Sequence, residues 1–126
     1  MTNRLSRSLL AASAAVLAFG SLMHAVSFNK AASIVASSNL PVYYVNVLKA
    51  FWLMDSATLI LLAVTFGLIA IRPNVATGSV IALLALIPAA IAALLYTFIG
   101  IVIPAHILLA AAAMALFAGW LRERRV

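Results

Sequence analysis

Cysteine is absent from the 126 residues. Disulfides, thiolate metal sites and cysteine nucleophiles are therefore excluded. Charge is nearly as scarce: 8% of the residues are charged, against roughly a quarter in an ordinary soluble domain. Carboxylates are rarest of all, with only Asp55 and Glu123 in the chain. Nor is there a basic face with interleaved aromatics, so the net charge of +6 does not point to nucleic acid. The basic residues stand at the ends of apolar runs, which is how membrane topology is encoded.

What is present is apolar. Such residues make up 67% of the chain. A water-soluble fold of this size keeps too much of its surface exposed to hide them. A lipid bilayer removes the difficulty. Roughly 20 apolar residues cross its hydrocarbon core as a helix, and four runs qualify: residues 9–28, 47–71, 78–100 and 103–121. The expected fold is a single all-α domain over 1–126, a four-helix transmembrane bundle.

The interruptions have local causes. Asn39-Leu40-Pro41 and Arg72-Pro73-Asn74 oppose helix continuation, because proline lacks the N–H and disfavours helical geometry just before it. Gly100 closes the third run, and Pro104 suits the first turn of the fourth. Pro88 lies inside the third run and reads as a kink, which membrane helices tolerate. The segment Asn29–Asn46 is the one sizeable loop; the first helix either runs on through Ala31–Ser38 or that stretch lies along the membrane surface. The other connections are short and force antiparallel neighbours in an up-down bundle.

The start has the pattern of a secretory signal, with Arg4 and Arg7 ahead of an apolar stretch and small residues near Ala25. We expect it to be retained as the first helix. Arg4, Arg7, Arg72, Arg122, Arg124 and Arg125 share one side, and only Lys30 and Lys49 the other. Both termini are therefore expected in the cytoplasm, with the chain in a cell inner membrane. Tyr43, Tyr44 and Trp52 then mark the outer interface and Trp120 the inner one.

Ionisable groups in hydrocarbon cost about 2.5–3.5 kcal/mol each on insertion scales, so each needs an account. His24, Asp55 and His106 lie within the apolar runs, and Tyr96 falls at a similar level. Each is roughly 6–9 Å outward of the midplane. Helical spacing puts Asp55, Thr58, Leu62, Thr65 and Ile69 on one stripe, and Ala82, Ala85, Ala89, Ala92 and Tyr96 on another. His24 lies beside Gly20 and Ser27 in the series Ser6, Ser13, Gly20, Ser27. His106 aligns with Ala110, Ala113 and Phe117. Small residues let membrane helices approach closely, so these stripes are expected to face inward and gather the polar groups.

The expected site is an outward-half pocket with Asp55, His24 and His106 as the catalytic groups. Tyr96, Trp52 and Thr58 would line the substrate. Histidine titrates near neutral pH and can act as a general acid or base beside a carboxylate. Binding of a small lipophilic molecule with proton-transfer or isomerase-type chemistry suits this set. A non-catalytic subunit of a larger membrane complex, or a transporter or channel component, is the competing expectation. Two histidines and one aspartate would suit zinc or a similar ion, but no short-spaced ligand motif such as His-x-x-x-His is present, so no metal is assigned and the cofactor stays open. Expected partners are the lipid bilayer, the lipophilic molecule, and further copies or subunits.

The four-helix size is that of small multidrug exporters and small fluoride channels. The first-helix glutamate of such exporters and the glycine-rich and asparagine motifs of such channels are absent, and the charge bias opposes dual insertion. Nothing is carried over from either.

Overall fold

The computed structural model describes residues 2–124; Arg125, counted above among the basic residues, lies outside them. The described chain is helical, with no strand. It runs α1 (Thr2–Val26), α2 (Phe28–Ala36), α3 (Val42–Ile71), a single 3-10 turn (Pro73–Val75), α4 (Gly78–Phe98) and α5 (Ile103–Glu123). Among them, α1, α3, α4 and α5 are long and apolar enough to cross a membrane.

The expected stops hold, but several boundaries move, and the first helix already begins at Thr2 rather than near residue 9. Pro41 caps α3 in an extended conformation, φ −54° and ψ 143°. The helix starts at Val42 rather than near residue 47, because a proline ahead of the first turn leaves no intrahelical bond unmade. The first helix also runs on. Ser27 keeps helical dihedrals and its carbonyl accepts the Ala31 N–H at 3.1 Å, so α2 continues α1 after a hitch. Side chains take the carbonyls at that hitch. Ser27 Oγ donates to Met23 O at 2.8 Å and Trp52 Nε1 to His24 O at 2.8 Å. Serine back-bonding of this kind bends helices. α2 then packs on α3 instead of lying apart.

The helices alternate in direction, but the bundle is an opened one. α1 packs on both α3 and α5, α5 packs on α4, and α3 and α4 barely touch although they are consecutive. The order across the molecule is α3, α1, α5, α4. Leu10, Leu17, Phe66, Ile81 and Pro88 are fully buried. α5 presents Ala105, Ala111, Ala112, Ala115 and Ala118, all buried, and so brings its neighbours close.

In lipid, helices gain little from burying apolar surface and associate through packing and polar bonds. Serines supply those bonds. Ser6 Oγ donates to Ala118 O at 3.0 Å and Ser13 Oγ to Ala111 O at 2.9 Å, fixing α1 against α5. The repeat does not continue outward: Gly20 has nothing within 4 Å of the position a Cβ would take. There α1 turns to α3, with Ser21 Oγ donating to Ser56 O at 2.8 Å.

Both described termini meet at one end, with the Arg72 turn. Arg122 is folded inward, onto carbonyls and a serine of the neighbouring segments. Its Nη1 donates to Pro73 O at 3.0 Å and Ala76 O at 3.3 Å, Nη2 to Ile69 O at 3.3 Å, and Nε to Ser6 Oγ at 3.1 Å. Arg7 Nε donates to Ala70 O at 2.7 Å. Two cations thus satisfy the orphan carbonyls of α3's last turn, where the helix dipole is negative. Glu123 Oε1 does the reverse for α4, accepting Ser79 N at 2.6 Å and Ser79 Oγ at 2.8 Å. Gly78 and Gly119 face each other here. A Cβ on Gly119 would stand 2.8 Å from Gly78 O, and one on Gly78 would strike Gly119 O and the Glu123 side chain.

Candidate functional site

The polar cluster lies at the other end of the molecule. α3, with 30 residues, is about 45 Å long, whereas α4 and α5, with 21 each, are about 32 Å. The α1–α3 hairpin therefore overreaches the α4–α5 hairpin. The register set by Ser6 and Ser13 makes His24 level with Gly100, in the turn between α4 and α5. The cluster is consequently held by α1 and α3 alone, at the lip of the four-helix region.

His24 is fixed on three sides. Its Nδ1 is 2.8 Å from Ser56 Oγ, its ring stacks on Trp52 with centroids 4.2 Å apart and 11° between planes, and its Nε2 is 3.7 Å from Asp55 Oδ2. The last distance is that of an ion pair, too long for a hydrogen bond. The histidine and aspartate side chains are 28% and 32% exposed. Sequence spacing explains the grouping. Trp52, Asp55 and Ser56 fall within one helical turn of α3, and His24 lies one turn beyond Ser21 on α1.

The hydrogen bonds accommodate either charge state of His24. Ser56 Oγ also lies 3.3 Å from Trp52 O, so its single proton has two acceptors. With neutral His24 protonated at Nε2, toward Asp55, Ser56 donates to Nδ1. With His24 charged, Nδ1–H donates to Ser56 Oγ, whose proton swings to Trp52 O. One hydroxyl rotation thus keeps Nδ1 hydrogen-bonded whether or not it carries a proton, while Nε2 faces the Asp55 carboxylate at 3.7 Å without a hydrogen bond.

Trp52 links the cluster to a groove. Phe28, Ala31, Ala32 and Val35 of α2 and Leu48, Lys49 and Trp52 of α3 line a cleft of about 200 Å³. Its walls are apolar side chains together with Lys49. Lys49 is half-buried here, so its stem covers the groove as lysine stems do.

The remaining expected site residues lie elsewhere. His106 is exposed, as are Ala110, Ala113 and Phe117, so that whole stripe faces outward and not into the bundle. The buried stripe of α5 is Leu108, Ala111, Ala112, Ala115 and Ala118. His106 packs edge-on against Tyr96 at 5.4 Å, and its Nδ1 lies 2.8 Å from Val102 O. In the α1–α5 register it is level with Ala18, about 9 Å nearer the arginine end than His24. The expected single layer is therefore two separate pairs, His24–Asp55 and Tyr96–His106. Thr58 bonds back to Met54 O at 2.9 Å, as does Thr65 to Leu61 O at 2.8 Å. The buried face of α3 is centred on Ser56, Leu59, Ala63, Phe66 and Ala70, with Asp55 on its flank.

Ser56 and Ser21 were not singled out from the sequence. The available signal was a hydroxyl within an apolar run and, for Ser56, adjacency to Asp55. Among the described residues no group of three or more His, Asp or Glu side chains could hold a metal ion. Comparison with family models, curated proteins and solved structures finds no match to this chain.

Proposed function

We propose that the chain is a multi-pass inner-membrane protein, with both termini cytoplasmic, that binds a small lipophilic molecule in the α2–α3 groove. The observation that carries this reading is the double role of Trp52. One indole lines the groove and stacks on His24, so a molecule in the cleft rests against the ring that holds His24. The apolar walls suit a hydrocarbon body, and Lys49 suits an acidic or polar head. His24 is the group that would take up or give back a proton, with Asp55 compensating its charge and Ser56 following the proton. The orientation rests on the arginines gathered at the end opposite the groove.

A conducting role has less support. Thr58 and Thr65 both turn their hydroxyls onto their own helix. Toward the arginine end, α3 is buried through Leu62, Phe66 and Ile69.

Trp52 and Trp120 are the only tryptophans, so a Trp120→Phe protein reports on Trp52 alone. Titrating it in detergent with a bromine-labelled fatty acid should quench its fluorescence saturably. Ala32→Phe, which fills the groove, should weaken that quenching. Quenching that rises without saturation, and equally in the groove-filled variant, would sink the proposal.

A further inference from the structure

A second cleft, of about 430 Å³, opens at the arginine end between α1 and α3. Arg4, Arg7, Ser8 and Ala11 form one wall, at positions i, i+3, i+4 and i+7 of a single helical stripe; Ala70 and Ile71 form the other. All four α1 residues are exposed. No described carboxylate forms an ion pair with either arginine, since the one ion pair is His24–Asp55 and Glu123 is engaged by Ser79. Arg7 is anchored through Nε to Ala70 O, which leaves its terminal nitrogens to the cleft. It also stands close enough to Arg122 for the two cations to repel. An anion seated here would offset that repulsion and accept the fork of a guanidinium.

We propose that this cleft binds the phosphate of an anionic phospholipid, with Arg4 and Arg7 on the headgroup and an acyl chain along Ala11 and Ile71. A lipid is favoured over free phosphate because the cleft continues into apolar wall on both helices. Ala11 is one turn deeper than Arg7, where acyl chains begin if Arg7 sits at headgroup level. Ser8, between the two, supplies a hydroxyl to the same phosphate.

Native mass spectrometry of the full chain, released from detergent with added phosphatidylglycerol or phosphatidylcholine, tests the assignment. The wild type should retain phosphatidylglycerol preferentially. Arg4→Gln should weaken that retention about fivefold, the effect of one arginine near an anionic surface. Ser8→Asp, which leaves both arginines and the Ala70 cap in place, should abolish the preference. Equal retention of the two lipids, or preference unchanged in both variants, would overturn the proposal. Displacement of the lipid by millimolar inorganic phosphate or glycerol phosphate would overturn the lipid assignment in favour of a free-phosphate site.

Discussion

The indole of Trp52 and the imidazole of His24 hold each other twice. The rings lie 11° from parallel at 4.2 Å, and the indole N–H donates to the main-chain carbonyl of the same histidine at 2.8 Å. The second contact takes a carbonyl at the hitch between α1 and α2, so the side chain beside the groove also stabilises the break that lets α2 settle on α3. Trp52→Phe should keep a stacked ring and lose the hydrogen bond, costing about 0.5–1.5 kcal/mol. Trp52→Ala should cost more and release α2. Unfolding in mixed micelles gives the first number, and hydrogen exchange over residues 28–36 reads the second effect.

Ser56 is the proton partner of His24. Ser56→Ala should leave the charged ring without its Nδ1 acceptor and the neutral ring without its donor. In ¹⁵N spectra the wild-type ring should show one dominant neutral tautomer, protonated at Nε2, and the variant a mixture. The stability loss should be modest, of the order of 0.6 kcal/mol for each interhelical bond in a membrane. An unchanged tautomer ratio would mean that Asp55 alone orients the ring.

His24 and His106 should separate cleanly. His24→Ala should weaken binding of an acidic lipophile in the Trp52 quenching titration, because the ring that holds the Trp52 indole is lost. His106→Ala should not, because His106 faces outward against Tyr96. Equal effects of the two histidine variants would mean that the pairs act as one site.

Two glycines predict opposite outcomes. Gly78→Ala pushes a methyl into Gly119 O and the Glu123 side chain, and that cap cannot move without releasing Ser79. It should destabilise by about 1–3 kcal/mol, as overpacked sites do. Gly20→Ala meets open space and should be neutral or stabilising by up to about 1 kcal/mol, since alanine is the better helix former. Thermal unfolding of both variants in the same detergent makes the comparison.

Arg122 spans four elements. Arg122→Gln should uncover the carbonyls of Ile69, Pro73 and Ala76 together, so exchange should rise across residues 69–79 while the His24 end stays protected. Arg122→Lys should rescue only in part, because a single ammonium cannot match a planar fork. Protection unchanged in the glutamine variant would show that water or lipid replaces the guanidinium without loss.

The spans themselves were legible because length and hydropathy suffice to recognise a helix that crosses lipid. The stops at Pro41, Arg72 and Gly100 were legible because proline, glycine and a charge act locally. Which stripe faced inward was less so. In a soluble protein the apolar stripe marks the core, but here lipid accepts apolar side chains everywhere. Small and polar residues were the remaining guide. They pointed correctly to Ser6, Ser13, Ala85 and Ala92, and incorrectly to Ala110 and Ala113, which are as small as their buried neighbours Ala111 and Ala112.

The sequence alone determined that this chain is helical, that four of its helices can cross a membrane, and that His24, Asp55 and His106 needed an account. Those conclusions depend on composition and on near neighbours along the chain. Only the tertiary structure decided that His24 meets Asp55 while His106 does not. That outcome follows from how far α1 and α3 extend past the turn at Gly100, and from which of several equivalent small-residue faces α5 turns toward its neighbours. Both depend on close contact between distant segments, and a run of alanines does not encode which face makes it.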